Sequence, residues 1–150
     1  MNNREKSKLD IVSADSVVIE TSPVIEVEPE TLDISSDSSL TVLIKHDYYS
    51  EDSAHGRDLI RAFITALSYR KADIARILVT GSGVKLLTGN NTLYKEFKEL
   101  LSDVAVLTVC HESLDVYGVS ISDLPSNCEN LDSTAFATAV INLQNPVILE

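Results

Sequence analysis

The fold is decided by residues 104–118, which read VAVLTVCHESLDVYG. Residues Val104 to Val109 form an almost continuous apolar run, broken by Thr108, which predicts a strand buried on both of its faces. The next residues, Glu112 to Tyr117, predict a short helical turn that ends at Gly118, where glycine tolerates a positive φ. A buried strand followed at once by a helix is typical of a parallel sheet covered by helices.

The same alternation of apolar runs and helical patterns extends in both directions from this stretch. The other predicted strands are residues 40–44, 74–79 and 147–149. Predicted helices bury Leu59, Ile60, Phe63, Ile64 and Leu67; then Leu93, Phe97, Leu100 and Leu101 after an N-cap at Asn90 or Asn91; and finally Phe136, Ala139, Val140 and Leu143 after an N-cap near Asp132. We therefore predict an α/β fold: a three-layer α/β/α doubly wound sandwich with a mostly parallel sheet.

The first part of the chain differs in composition from the rest. Residues 1–40 contain nine acids and three bases, and no aromatic residue. Two short apolar pieces, Val17–Ile19 and Val24–Val27, lie in this acidic, proline-containing context and are either a loose edge strand or an extended linker. We predict an acidic, poorly structured N-terminal tail or linker over residues 1–39 and one α/β domain over residues 40–150.

Charge and composition argue against several classes of protein. The 150 residues carry a formal net charge of −11, the wrong sign for a protein that binds nucleic acid or an anionic membrane. No apolar stretch approaches the roughly 20 residues that cross a bilayer, and the polar start, Met1 to Lys8, is not a secretory signal, so we expect a cytoplasmic protein. Two cysteines are too few for a disulfide framework or a cysteine-rich zinc site, and we expect no metal and no cofactor.

Cys110 is the first candidate for chemistry. It follows a strand and precedes a helical turn, where unpaired backbone N–H groups favour an anion and lower the pKa of a thiol. His111 next to it could support the thiolate or move its proton, and Ser113 could stabilise it; solvent access to the sulfur is the other requirement. The alternative interpretation is that Cys110 is a small buried hydrophobic residue at a strand end.

A second candidate is a ligand site at the ends of the first two strands. Gly81, Ser82, Gly83 and Lys85 offer backbone N–H groups and a cation to an anionic ligand, and Asp47 lies after the first strand. The loop is not a Walker A loop, because the Lys-Ser/Thr ending is missing. Its alternative is a plain tight turn beside an ordinary polar loop.

From Leu40 to Leu149 the chain resembles the DsrE/DsrF-like sulfur-relay superfamily, most of all the C-terminal domain of YedF-like proteins, which are linked to selenium metabolism. The resemblance is carried by Leu59–Phe63, by Gly83-Val84-Lys85-Leu86, by Cys110 to Gly118, and by the terminal helix and strand. The family signature reads roughly Cys-Gly-x-Cys-Leu-Asp-Tyr-x-Gly. The resemblance implies that Cys110 carries a persulfide and that the chain exchanges sulfur with a donor or acceptor protein. It also implies that the chain forms a homo-oligomer.

The chain departs from this family in its cysteines, in its N-terminal part and after the first strand, where residues 49–54 replace a glycine-rich stretch. Ser113 stands where the family has its second cysteine, and a hydroxyl cannot resolve a persulfide or close a disulfide. The Cys-Pro-x-Pro motif of the N-terminal domain in YedF-like proteins does not occur. Cys128, which we place in the loop before the last helix, is either a substitute second thiol on the same rim as Cys110 or a partly buried spectator.

Three functions remain open at this point. The first is a persulfide carrier or sulfurtransferase-like protein acting through Cys110. The second is a catalytically lapsed interaction or assembly module with the same fold. The third is a domain that binds a small anion or nucleotide at the loop from Gly81 to Lys85.

Overall fold

A computed structural model describes residues 39–150 of the chain. The predictions made for residues 1–39, including the apolar pieces Val17–Ile19 and Val24–Val27, therefore lie outside the described residues, apart from Ser39. Everything that follows concerns residues 39–150.

One sheet of five parallel strands forms the centre of the fold. The strands lie in the order β4-β3-β2-β1-β5, and all four neighbouring pairs are parallel. Their bounds are Leu40–Ile44 (β1), Ile74–Val79 (β2), Val106–Cys110 (β3), Cys128–Leu131 (β4) and Val147–Leu149 (β5). With helices packed on both faces, the predicted three-layer α/β/α fold class is confirmed.

The helices begin and end where the sequence supplies caps or glycine. They are Ala54–Ser68 (α1), Tyr94–Leu101 (α2), His111–Tyr117 (α3) and Ser133–Ile141 (α4), with 3₁₀ helices at Lys71–Asp73, Gly81–Leu87 and Ile121–Asp123. The predicted cap at Asp132 is confirmed, since its side chain accepts a hydrogen bond from the backbone N–H of Ala135. The predicted stop at Gly118 is also confirmed, with a φ of 67°.

The two faces of the sheet carry two separate apolar clusters. Side chains alternate along each strand, so Ile44, Ile77 and Leu107 point to one face and contribute to the larger cluster. Helices α1, α2 and α3 cover that face through Ile60, Ile64, Phe97, Leu100 and Leu114. The smaller cluster on the other face consists of Leu43, Leu78, Cys110 and Phe136, with α4 packed over it.

The chain reverses its direction across the sheet after β4. From β1 to β4 it moves one strand at a time towards one edge, and it then crosses back by α4 to β5 at the opposite edge. Because such crossovers share one hand, α3 leaves β3 towards one face and α4 leaves β4 towards the other. The carboxyl ends of β3 and β4 therefore flank a crevice, which is where open parallel sheets bind ligands.

Four local predictions are wrong. Residues 128–131 form the edge strand β4 rather than a loop, because pairing with β3 holds a segment, Cys-Glu-Asn-Leu, that is too polar to be recognised as an apolar run. Helix α2 begins one turn later than predicted, since the Asn91 side chain accepts from the backbone N–H of Leu93 and stabilises the preceding turn. The apolar run at 104–109 is shifted to a strand from Val106 to Cys110, and the expected tight turn after β2 is a 3₁₀ helix.

Within residues 39–150, no helix is long and apolar enough to cross a membrane; α1, with 15 residues, is the longest helix of this part of the chain.

Candidate functional site

Cys110 lies in the crevice between the carboxyl ends of β3 and β4. It is the last residue of β3 and the N-cap of α3, so the predicted position at a helix start is confirmed. Its side chain points to the face that α4 covers, beside Leu43, Leu78 and Phe136. The residue is 6% exposed, so the expected presentation of the sulfur to solvent is wrong for this conformation. The cause is α4, which packs over the end of β3.

Two polar side chains cover the sulfur from the two helices that flank the crevice. Glu112 Oε1, in the first turn of α3, and Ser133 Oγ, the first residue of α4, each lie 3.9 Å from Cys110 Sγ. The Ser133 hydroxyl donates to Glu112 Oε1 at 2.9 Å and so joins the two helix starts. Both covering residues are exposed, and Cys110 lies directly beneath them.

Ser113, which stands in the place of the second cysteine, connects α3 with the end of β2. Its hydroxyl accepts the backbone N–H of Gly81 at 2.9 Å and lies 3.2 Å from Thr80 Oγ1. The side chain is buried, and the bond satisfies a backbone donor in a tightly packed turn. Ser113 therefore has a structural role that is independent of any chemistry at Cys110.

Burial and hydrogen bonding act on the pKa of Cys110 in opposite directions. Burial raises it, but hydrogen bonds lower it, chiefly those from the side chain and backbone of Ser113, and the pKa ends below its ordinary value. The Ser133 hydroxyl and the backbone N–H of Glu112 itself hold the pKa of Glu112 below its usual range, so this side chain is a carboxylate at neutral pH. A thiol of increased acidity therefore lies beside a fixed negative charge.

His111 faces away from the sulfur. Its Nδ1 lies 3.1 Å from Asn130 Nδ2 and its Nε2 lies 3.5 Å from a carboxylate oxygen of Asp115. These contacts place the imidazole on the outer side of α3, between that helix and β4. The structure thus brings Ser113 together with Cys110 but directs both ring nitrogens of His111 to other groups.

The predicted ligand site at the ends of β1 and β2 is an internally bonded cluster. Asp47 is 7% exposed; its carboxylate lies 3.8 Å from Lys85 Nζ and accepts a hydrogen bond from Asn91 at 3.3 Å. Ser82 Oγ accepts the backbone N–H of Asp47 at 3.3 Å and lies at the same distance from His46 Nδ1. The cation of Lys85 is thus already matched by a buried carboxylate.

The glycines of the same segment allow the chain to turn sharply from β2 into the 3₁₀ helix Gly81–Leu87. Gly81 has a φ of +56°, and a Cβ there would lie 2.6 Å from the carbonyl oxygen of Lys45. Its N–H donates to Ser113, and the N–H of Gly83 donates to the carbonyl of Thr80 at 3.1 Å. Both donors that were expected to face an anion are therefore bonded within the protein.

Cys128 cannot act as the second thiol. It pairs with Leu107 at the amino end of β4, three residues below Cys110 on the neighbouring strand, which corresponds to about 10 Å along the sheet. It packs against the larger apolar cluster, whereas Cys110 belongs to the smaller one on the opposite face. Burial, with a contribution from Glu129, raises the pKa of Cys128 to about 11. Of the two alternatives for Cys128, the structure excludes a second thiol on the same rim and agrees with a partly buried spectator.

An open groove of about 860 Å³ lies elsewhere, between α2 and the 3₁₀ helix Ile121–Asp123. It is lined by apolar, basic and acidic side chains, among them Leu87, Tyr94, Lys98, Leu124 and Asn127, and by none of the residues around Cys110. Within the described part of the chain, no three His, Cys, Asp or Glu side chains are close enough together to hold a metal ion.

The sequence did not identify two members of the Cys110 site. Thr80 and Ser133 have no motif of their own, although each directly follows a strand end or a helix cap, the positions that surround a crevice in a parallel sheet. In the sequence, Glu112 is simply an acid in the first turn of its helix, where a negative charge stabilises the helix start. Its contact with Ser133 joins residues 21 positions apart and is not visible in the local sequence.

The sheet order and the parallel strands define a three-layer α/β sandwich, with a cysteine at the β3–α3 junction. Two solved structures are similar over most of the described domain. The ychN protein from E. coli matches with a TM-score of 0.53 and 12% identity, over 74% of this chain and 99% of that one. MTH1491 from Methanobacterium thermoautotrophicum, a protein of unknown function, matches with a TM-score of 0.51 and 14% identity, over 75% of this chain and 98% of that one. No family model and no curated protein matches the sequence.

Proposed function

We propose that this protein accepts and passes on sulfane sulfur as a persulfide on Cys110. The observation that carries the proposal is the position of the thiol: at the start of α3, in the crevice formed by the reversal of chain direction, with hydroxyl groups that lower its pKa. The DsrE/DsrF-like fold is compatible with this activity. The proposed reaction is the transfer of a sulfur atom, as in a sulfurtransferase, and it uses no cofactor.

The transfer is a nucleophilic displacement at sulfur. The Cys110 thiolate attacks the outer sulfur of a donor persulfide, R–S–SH, and forms a new S–S bond while the bond between the two donor sulfurs breaks. The donor leaves as the thiolate R–S⁻, and Cys110 holds the –S–SH group. The number of electrons on the sulfur atoms is conserved, so the step needs no oxidant or reductant. Passing the sulfur to an acceptor thiol repeats the same displacement.

Release to an acceptor depends on a thiol from outside this domain. Ser113 has no sulfur, and Cys128 lies on the other face of the sheet, so neither can attack a persulfide on Cys110. The protein then holds the persulfide until a partner's thiol reaches the crevice. A donor or acceptor protein, assembly into a homo-oligomer and a cytoplasmic location remain predictions that accompany this proposal.

Access to the sulfur requires a local movement at the crevice. Glu112 and Ser133 lie against Sγ, and both side chains are exposed, so their rotamers can change without disturbing the sheet, while α4, whose packing buries Cys110, must also shift for a donor to reach Sγ. Exposed side chains change rotamer within picoseconds to nanoseconds, much faster than a sulfur transfer. Burial of Cys110 in the closed arrangement is therefore compatible with its reaction.

The relation to the C-terminal domain of YedF-like proteins, with its link to selenium metabolism, is part of this proposal. It rests on Gly83-Val84-Lys85-Leu86 and on the segment from Cys110 to Gly118. In the structure the first motif lies in the 3₁₀ helix after β2, and Ser113 of the second motif accepts the backbone N–H of Gly81, two residues before the first motif. Lys85 Nζ of the first motif lies 5.8 Å from the ring centre of Tyr117 in the second, so the two motifs are neighbours.

A second candidate function is a non-catalytic interaction or assembly module. One observation favours it: Cys110 is 6% exposed and packs beside Leu78 and Phe136, as a structural cysteine does. In this case the fold is retained and the thiol remains unreactive.

Intact-mass measurement separates the two candidates. The protein is incubated with cysteamine persulfide, a zwitterion without net charge, and the persulfide carrier gains about 32 Da per sulfur accepted. Cys110→Ser abolishes the gain, while Cys128→Ser, the matched control, retains it. The proposal is contradicted if the wild-type protein gains no sulfur or if the gain persists in Cys110→Ser. The interaction or assembly module is then the remaining candidate.

A further inference from the structure

The carboxylate of Glu112 is held against the thiol that the proposed function uses. Its Oε1 lies 3.9 Å from Cys110 Sγ, and the Ser133 hydroxyl, donating at 2.9 Å, fixes the carboxylate in that place. Ser133 lies at the start of α4, on the far side of the crevice from α3. The negative charge is therefore anchored from both helices at the entrance to the sulfur.

The basic groups of this region contact other carboxylates. The Ser133 hydrogen bond and, after it, the charge of His111 lower the pKa of Glu112, but His111 Nε2 lies 3.5 Å from a carboxylate oxygen of Asp115. Arg76 pairs with Glu129 at 2.9 Å, and Lys85 lies beside Asp47 at the end of β1. A group that reacts at Cys110 Sγ therefore comes close to the carboxylate of Glu112, whose Oε1 lies 3.9 Å from the sulfur.

We infer that Glu112 makes Cys110 selective for neutral or cationic sulfur donors and against small anionic donors such as thiosulfate. This inference rests on the proposed function, because it names the class of donor that the same thiol accepts. Thiosulfate would transfer its outer sulfur to the Cys110 thiolate and leave as sulfite, a balanced displacement. Its charge would have to come within a few ångströms of Glu112, and like charges about 4 Å apart in water lower a rate about fivefold.

Two alkylating reagents of almost the same size measure this selectivity without any sulfur donor. Iodoacetamide is neutral and iodoacetate carries one negative charge, and both consume the same thiolate. The ratio of their rates at Cys110 therefore cancels any change in the thiolate fraction. Peptide mass after partial labelling assigns each rate to Cys110 and excludes Cys128.

Glu112→Gln removes the charge and keeps the shape of the side chain. We expect the iodoacetate-to-iodoacetamide ratio to rise about fivefold at low ionic strength and the difference to shrink in 1 M salt, where the screening length is about 3 Å. Asp58→Asn, which removes an exposed charge on α1, is the matched control and leaves the ratio unchanged. Ser133→Ala keeps the charge but releases its anchor, and we expect a smaller rise.

An unchanged ratio in both Glu112→Gln and Ser133→Ala overturns the inference, as does an equal rise in Asp58→Asn. Failure of the proposed function has a different signature. If the ratio responds as expected but no donor adds sulfur to Cys110, Glu112 controls the thiol and the persulfide proposal alone fails. If cysteamine persulfide, a zwitterion without net charge, loads Cys110 and thiosulfate loads it equally fast in wild type and Glu112→Gln, the donor inference alone fails.

Discussion

Ser113 Oγ accepts the backbone N–H of Gly81 at 2.9 Å and so ties the first turn of α3 to the segment that follows β2. The side chain of Ser113 is thus a structural connection between two strand ends. Thr80 extends it, with its hydroxyl 3.2 Å from that of Ser113. Ser113 and Thr80 also lower the pKa of the neighbouring Cys110 thiol against the effect of its burial.

Ser113→Ala is expected to lower stability and to raise the pKa of Cys110. The Gly81 N–H would lose its partner in a part-buried position, which costs about 1–3 kcal/mol. The thiol would lose the largest of the hydrogen-bond contributions that lower its pKa. Urea unfolding and the pH dependence of iodoacetamide labelling measure the two effects. Ser126→Ala, at an exposed position, is the control, and equal behaviour of the two variants would contradict the role of Ser113.

Ser113→Cys is expected to convert a persulfide carrier into a protein that releases its sulfur. A thiol at residue 113 attacks the inner sulfur of the Cys110 persulfide, forms a disulfide and expels the outer sulfur as hydrogen sulfide. The mass of the loaded protein would fall from about 32 Da above the reduced chain to about 2 Da below it. Sulfide release measured at the same time checks the reaction. A persulfide that survives in this variant would show that the two side chains do not meet.

The two cysteines are expected to react at very different rates. Burial raises the pKa of Cys128 to about 11, whereas the pKa of Cys110 is below its ordinary value. At pH 8, with Cys128 almost entirely protonated, iodoacetamide should label Cys110 first. Peptide mass mapping at successive times measures the order. Similar slow labelling of both residues would remove Cys110 as a nucleophile.

Cys128 should also make the folded protein less stable in alkali. Its thiol ionises at about pH 11 when folded but at its ordinary, lower pKa when unfolded, so the folded state retains the proton longer. The stability that this protonated thiol contributes is complete below the pKa of Cys128 in the unfolded chain, and it is lost as the pH rises towards about 11. The fall in unfolding free energy over this range should be smaller in Cys128→Ala. An identical fall in both proteins would contradict the raised pKa.

A glycine can be required by a positive φ together with close backbone contact, as at Gly81, or by a positive φ alone, as at Gly118. Both have positive φ, 56° and 67°, but a Cβ at Gly81 would lie 2.6 Å from the Lys45 carbonyl oxygen and a Cβ at Gly118 would meet nothing within 4 Å. Gly118→Ala should cost about 1–2 kcal/mol for the left-handed backbone alone. Gly81→Ala should cost more, because the backbone of Lys45 must move as well. Urea unfolding measures both, and a similar loss in the two variants would contradict the close approach at Gly81.

The apolar runs predicted four of the five strands and their parallel arrangement, because strands buried on both faces need apolar side chains at every position. The strand Cys128–Leu131 was not predicted. It is an edge strand with two exposed polar residues, Glu129 and Asn130, so its pairing with β3 depends on the rest of the fold. The start of α2 was missed for a local reason, since the Asn91 side chain stabilises a turn that precedes the helix.

The sequence predicted the local environment of Cys110 but not the contacts that residues distant in the chain make with it. The sequence placed Cys110 at the end of a strand and the start of a helix, and it identified Ser113 as the departure from the family signature. It did not show that α4 covers the sulfur or that Ser133 meets Glu112, 21 residues away. These contacts depend on the strand order, which no local pattern contains.

The sequence by itself determined the fold class and the position of the thiol at the β3–α3 junction, because the burial of apolar side chains and the stop at Gly118 are set by neighbouring residues. Only the tertiary structure decided which face of the sheet Cys110 points to, which charge lies against it, and that Cys128 is on the other side. Side-chain alternation shows which residues of a strand share a face of the sheet, but it does not show which helices cover that face. The direction in which the chain crosses back after β4 fixes which helix covers each face.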